Sequence, residues 1–202
     1  MRDHISRLAQ TCFFHLRRLR SVQVRRQLGQ DVTKRLVCAL VLSRLHYCNV
    51  ILAGLSASTL APLQRVLGVA ARVVLDLKPR DHISCALREL HWLPISERIV
   101  YMLCFLVHKV SLGQSPDYIT DMLQPVAATS SRSSLRDASR GDYVVPRTNR
   151  KTENQAFSTF STAAPTAWNQ LPTELKRTQS TSAFRRLLKT FLFNRAQAYC
   201  SE

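Results

Sequence analysis

Two apolar helical patterns meet at a Trp-Leu-Pro corner, Trp92-Leu93-Pro94, and no other feature limits the fold of this chain as strongly. A proline disfavours helical geometry at the residue before it and has no N–H to give to the preceding turn. One helix therefore ends near His91 and another starts near Ser96. From there Ile99, Met102, Leu103, Leu106, Val107 and Val110 recur at the offsets that build one apolar helix face, and Gly113 is placed to end it. Helices bent at a bulky Trp92 must bury that surface. With 46% apolar residues over 202 positions, the chain carries enough of it for a core. The expected fold class is mainly α, with helical bundle units and a short β-hairpin near the C-terminal third.

The segments on either side support that expectation. From Asp3 to about Arg20, Ile5, Leu8, Ala9, Cys12, Leu16 and Leu19 line one side and Arg7, Arg17, Arg18 and Arg20 the rest, which predicts a basic amphipathic helix. Asp31 is placed to cap the next helix, with a face of Leu36, Val37, Leu40, Val41 and Leu45, ended directly or after a continuation by Gly54. Ser58 or Thr59 can cap a third, carrying Leu60, Leu63, Leu67, Ala70 and Val74, with Pro62 in its first turn. Leu36 to Leu55 is long enough to span a membrane, but Arg44, His46 and Asn49 at its centre make it a core helix. Ser115-Pro116-Asp117 reads as a compact start to a short helix. Tyr143-Val144-Val145-Pro146 and Phe157-Ser158-Thr159-Phe160-Ser161 read as the strands of the hairpin. Ala163 to Asn169 gives one or two helical turns. A last helix from about Ser182 to Ala196 carries Phe184, Leu187, Leu188 and Phe191 on one face.

The run Asp81-His82-Ile83, the block from Leu90 through Trp92, Leu93, Pro94 and Arg98 to Ile99, and the later Ala163-Ala164-Pro165-Thr166-Ala167-Trp168-Asn169-Gln170-Leu171-Pro172 resemble the region after the polymerase core in non-LTR retrotransposon (LINE) reverse transcriptases, most of all the jockey-like and related groups. Upstream, Leu42-Ser43-Arg44-Leu45-His46-Tyr47-Cys48-Asn49, Leu63-Gln64-Arg65-Val66 and Ala70-Ala71-Arg72-Val73-Val74 are similar to the segment directly after the palm. The motifs fall in the same order with similar gaps over nearly the whole chain. The sequence departs from the usual pattern at His46, where an Asp is usual, at Leu67-Gly68, where Gln-Asn is usual, and at Met102, where a Lys is usual. The residue pattern divides the chain into a three-helix unit over 1–79, which the resemblance makes thumb-like, a helical corner domain over 80–124, a flexible basic linker over 125–142, and a small β-hairpin plus C-terminal helix over 143–202 that packs on the preceding domain. The segment from Asp3 to about Leu55 also resembles a stretch labelled as the N-terminal region of an AlkB homologue. The His-x-Asp and distal His that such an iron oxygenase needs are not identifiable, so that label is read as a misnomer.

Catalytic chemistry finds little support in the residues. A polymerase needs paired aspartates to hold two metal ions, and the chain has no Asp-Asp pair. The resemblance also places the chain wholly after that motif. With five glycines there is no Gly-rich phosphate loop, and no Gly-x-Ser-x-Gly elbow accompanies Asp81, His82 and Ser84, so Asp81 is read as a helix cap. The six cysteines form no Cys-x-x-Cys pair and read as reduced, buried thiols. Cys104 and His108, at i and i+4, supply only half a zinc site.

What remains is charge. The 29 Lys and Arg outnumber 13 Asp and Glu, for a net charge of +16, and Arg dominates the excess. Its planar fork suits phosphate and stacks on bases. Arg17, Arg18, Arg20, Arg25 and Arg26 form one cluster, Arg185, Arg186 and Lys189 another, and Arg132 lies in the linker between them. Trp92 and Trp168, flanked by Leu and Pro, are placed in the core, with base stacking as the alternative. The expectation is a non-catalytic fragment that binds RNA and DNA backbones. It involves no catalytic residue, metal, cofactor, small-molecule substrate or membrane, and a protein partner is open. A cytoplasmic or nuclear, non-secreted location is expected. The alternatives are a functionless retrotransposon-derived product and a helical protein-interaction module.

Overall fold

A computed structural model describes residues 1–21, 29–47, 49–78, 80–128, 140–146 and 155–198. The chain is mainly α. Helix α1 spans Arg2–Arg20. Helix α2, Gln30–Val37, runs through a π-helical turn, Cys38–Leu42, into α3, Ser43–His46, and a 3-10 turn follows at Asn49–Leu52. Then come α4 (Ala57–Leu75), α5 (Ile83–Glu89), α6 (Ile95–Ser111), α7 (Asp117–Thr120), a 3-10 turn at Val126–Ala128, α8 (Gln155–Asn169), α9 (Thr173–Lys176) and α10 (Thr181–Ala198). The chain divides into two compact units. One holds Met1–Asn49, Leu55–Arg98 and Ala196–Glu202; the other holds Val50–Gly54 and Ile99–Arg195. Among the described residues no helix is long and apolar enough to cross a membrane.

In the first unit α4 is the axis, packed by α1, α2 and α5. Its Leu63, Val66, Leu67, Ala70, Ala71, Val73 and Val74 are buried, a distribution wider than a single stripe, as a helix with neighbours on several sides requires. Helix α1 presents Ile5, Ala9, Cys12, Leu16 and Leu19 as its buried stripe, with Leu8 at the margin. The start of α2 differs from expectation. Gly29 is its N-cap and Asp31 lies in the first turn, where an acid favours the helix dipole instead of capping. Helix α4 starts two or three residues early, after Ser56, so Pro62 falls beyond the first turn. At the corner, His91 adopts a left-handed conformation (φ 54°), and the Trp92 N–H donates to the Leu87 carbonyl at 2.8 Å. That cap ends α5 before Pro94 is reached. Gln64 of α4 then accepts the Ile95 N–H at 3.0 Å and satisfies an orphan donor at the start of α6. Trp92, Leu93 and Ile95 are buried, so Trp92 is a core residue.

In the second unit the buried stripe of α6 is Ile99, Leu103, Cys104, Val107 and His108, while Met102, Leu106 and Val110 are only half-buried. Gly113 (φ 66°) ends the helix, with the Gln114 N–H donating to the Lys109 carbonyl. The expected β-hairpin does not form. Residues 157–161 belong to α8, because Phe160, Ala164, Ala167 and Trp168 continue at helical spacing and are buried on one side. Local alternation had concealed that longer period. Of the other expected strand, Tyr143 keeps one isolated antiparallel bridge to Pro125, and no strand occurs among the described residues. The last helix also differs: Phe184, Leu188 and Leu192 are fully buried, whereas Leu187 is 43% exposed. The seat for that helix runs along the i, i+4, i+8 line, which turns Leu187 outward.

Candidate nucleic-acid interface

Arg17, Arg18 and Arg20 stand exposed on the last turn of α1, away from its buried stripe. Cations there also favour the helix dipole, which is the structural reason for their place. The Arg18 guanidinium lies 5.7 Å from the ring centre of Phe14, itself 55% exposed, so an aromatic face sits beside the cluster. Arg25, Arg26 and Arg132 lie outside the described residues. Arg185, Arg186 and Lys189 are exposed on α10. Among the described residues no carboxylate pairs with Arg17, Arg18, Arg20, Arg185 or Arg186.

Arg185 has aromatic company that the sequence reading did not include. Its Nε–H donates to the Tyr101 hydroxyl at 3.2 Å, and its guanidinium lies 5.5 Å from the Phe105 ring centre. Lys109 approaches the same ring at 5.4 Å. The Tyr101 hydrogen bond holds the Arg185 pKa above its ordinary value. Tyr101, Phe105 and Lys109 are spaced by four on α6, a signal present in the sequence. The apolar reading of that helix passed over it.

The block around Trp168 has a structural task. The Trp168 indole N–H donates to the Gly141 carbonyl at 2.9 Å, and Asn169 both accepts the Tyr143 N–H (3.0 Å) and donates to its carbonyl (2.8 Å). Lys176 pairs with Asp142 and also donates to the Asn169 carbonyl, with only 3% of its side chain and 9% of that of Asp142 exposed. Val126 and Val144 donate to Asp142 and Gln124, which closes residues 124–126 on 142–144. The two ends of the expected linker are therefore held together. The ring of His108 stacks on Phe184 at 3.9 Å and its Nε2–H donates to the Thr178 carbonyl at 2.8 Å. Burial holds its pKa down against that bond, and Nδ1 has no partner among the described residues.

The first unit contains a comparable polar contact. Arg98 is buried; its Nε donates to the Leu93 carbonyl at 2.7 Å and its Nη1 to His46 Nε2 at 2.8 Å. Both acceptors are uncharged, and burial pushes the Arg98 pKa down to about 10. The His46 pKa is lowered by burial and then by the Arg98 charge, which keeps the ring neutral and able to accept.

Other expected assignments change. Asp81 does not cap α5; its carboxylate accepts the Lys78 N–H at 2.6 Å, and His82 holds the cap position. Cys12 and Cys104 are buried, but Cys85 is exposed. Among the described residues no three His, Cys, Asp or Glu side chains gather as a metal site. Compared with protein-family models, curated protein sequences and solved structures, the chain has no match.

Proposed function

We propose that this chain is a C-terminal, post-polymerase portion of a LINE-type reverse transcriptase that grips RNA and DNA backbones without sequence preference and performs no catalysis itself. The observation that carries the reading is the exposure of Arg17, Arg18 and Arg20 on one helix and of Arg185, Arg186 and Lys189 on another, in a chain with a net charge of +16. Solvent-facing guanidinium groups with no carboxylate partner among the described residues suit phosphate oxygens, and phosphate contacts carry affinity but no sequence information. The motif residues Trp92, Leu93, Pro94, Trp168 and Asn169 hold the corner and the Gly141–Tyr143 segment. This supports reading them as framework and the arginines as the contact surface.

The test is a salt titration with labelled duplex DNA and RNA. Log affinity should fall with log salt at about −0.9 per duplex phosphate contact, and thus near −5 if about five of these side chains engage together. Replacing Arg17, Arg18 and Arg20 together by Gln should make the slope shallower by roughly two to three units without altering sequence preference. A flat salt dependence, or equal slopes for both proteins, overturns the reading.

A further inference from the structure

Along α6, Tyr101, Phe105 and Lys109 succeed one another at steps of four and lie half-exposed on one strip of the second unit. The Tyr101 and Phe105 rings are nearly parallel, 11° apart in plane with centres separated by 6.4 Å. From α10, Arg185 is tethered to the Tyr101 hydroxyl through Nε and lies over the Phe105 ring, which Lys109 also approaches. Lys189 follows Arg185 one turn on, over Phe193 at 5.8 Å. Among the described residues no carboxylate pairs with Lys109 or Arg185. Two cations drawn to one ring repel each other, and an anion placed between them would relieve that repulsion.

We infer that this strip is a seat for single-stranded nucleic acid, in which a phosphate bridges Lys109 Nζ and the Nη donors of Arg185 while an unpaired base stacks beside it. The inference rests on the nucleic-acid reading above and narrows it. A guanidinium held by a hydroxyl and a ring has fewer rotamers to lose when it meets a phosphate, and its outer face is a stacking plane for a base. A duplex would engage only the cations, because its base faces are already occupied in the stack. An acidic peptide would likewise meet the charges and leave the rings unused. The combination of rings and cations therefore favours single strands.

The experiment compares binding of the full chain to labelled oligothymidine and to a duplex of equal phosphate number over a salt series. Phe105→Leu should weaken oligothymidine binding by about tenfold and leave duplex binding within about twofold. Arg185→Gln and Lys109→Gln should each make the single-strand slope shallower by about 0.7. If circular dichroism shows that Phe105→Leu does not fold, the single-strand slopes of these two polar substitutions decide, and unchanged slopes overturn the seat. Polyglutamate at equal charge should displace oligothymidine poorly. If the wild type binds nucleic acid with the expected salt slope but Phe105→Leu changes single-strand and duplex binding alike, or Arg185→Gln and Lys109→Gln leave the single-strand slope unchanged, the seat is overturned and the broader reading stands. Efficient displacement by polyglutamate overturns the seat in favour of an acidic peptide. If the wild type binds neither nucleic acid, both readings fall.

Discussion

His46→Glu is expected to stabilise the chain, because it would place a carboxylate where a buried guanidinium now meets a neutral ring. In the wild type, Arg98 Nη1 donates to His46 Nε2 at 2.8 Å and Nε donates to the Leu93 carbonyl, and among the described residues the buried charge has no anionic acceptor. A Glu side chain reaches about as far from the backbone as a histidine Nε2, so the carboxylate can accept the same bond without moving the helix. A carboxylate adds charge–charge attraction to a hydrogen bond that the guanidinium already makes, worth up to roughly 1 kcal/mol, and the open edge of residue 46 argues against a larger figure. The gain at pH 7 should thus be about 1 kcal/mol, or about 2–4 °C in Tm for a chain of this size. The pH dependence sharpens the test. The folded-state pKa of His46 is lowered, so its contribution is complete above about 6.5 and is lost as pH falls below that value. A Glu beside Arg98 has its pKa lowered too and keeps its contribution down to about pH 4.3. The advantage of the variant should therefore grow between pH 7 and pH 5. Urea unfolding of the four proteins formed by His46→Glu and Arg98→Gln, singly and together, measures the coupling. A loss of stability in His46→Glu, or an equal gain in the Arg98→Gln background, would refute the argument.

In the second unit, Asp142→Ala should cost about 3–5 kcal/mol, because it strands the Lys176 charge in a site where only 3% of that side chain is exposed. Asp142→Leu with Lys176→Met should be far milder; chemical unfolding in which the double variant is as weak as Asp142→Ala would contradict a buried-charge origin. His108 is held neutral by burial, so its share of stability is whole above about pH 6.5 and declines as pH falls below it. His108→Gln, which keeps a donor for the Thr178 carbonyl, should make the loss of stability between pH 6.5 and pH 5 shallower, and superimposable pH curves for the two proteins would rule this out.

Much of the helical framework can be read directly from residue spacing. In α1 the period is uninterrupted over nineteen residues, and every residue that it buries was among those assigned to the apolar face. The break at Trp92-Leu93-Pro94 was equally legible, because proline acts on its immediate neighbours. The caps were less so. Gly29 rather than Asp31 starts α2, and a left-handed His91 ends α5; such choices depend on what the next segment can pack against. The hairpin expectation failed at Phe157–Ser161, where a few alternating residues suit either period. The decision fell to Phe160, Ala164 and Trp168, whose burial along one side requires a helix.

For the candidate interface the division follows the range of the forces. Net charge and the placing of Arg17, Arg18 and Arg20 off the apolar stripe are properties of composition and of a single helix, so the sequence alone determined them. What belongs to two helices was decided only by tertiary packing: Arg185 of α10 against Tyr101 and Phe105 of α6, His46 of α3 against Arg98, and His108 stacked on Phe184. These partners lie far apart along the chain, 84 residues in the case of Arg185 and Tyr101. A periodicity shows which way a side chain faces along its own helix. It carries no information about which helix lies opposite, because that depends on how all the apolar stripes are buried together.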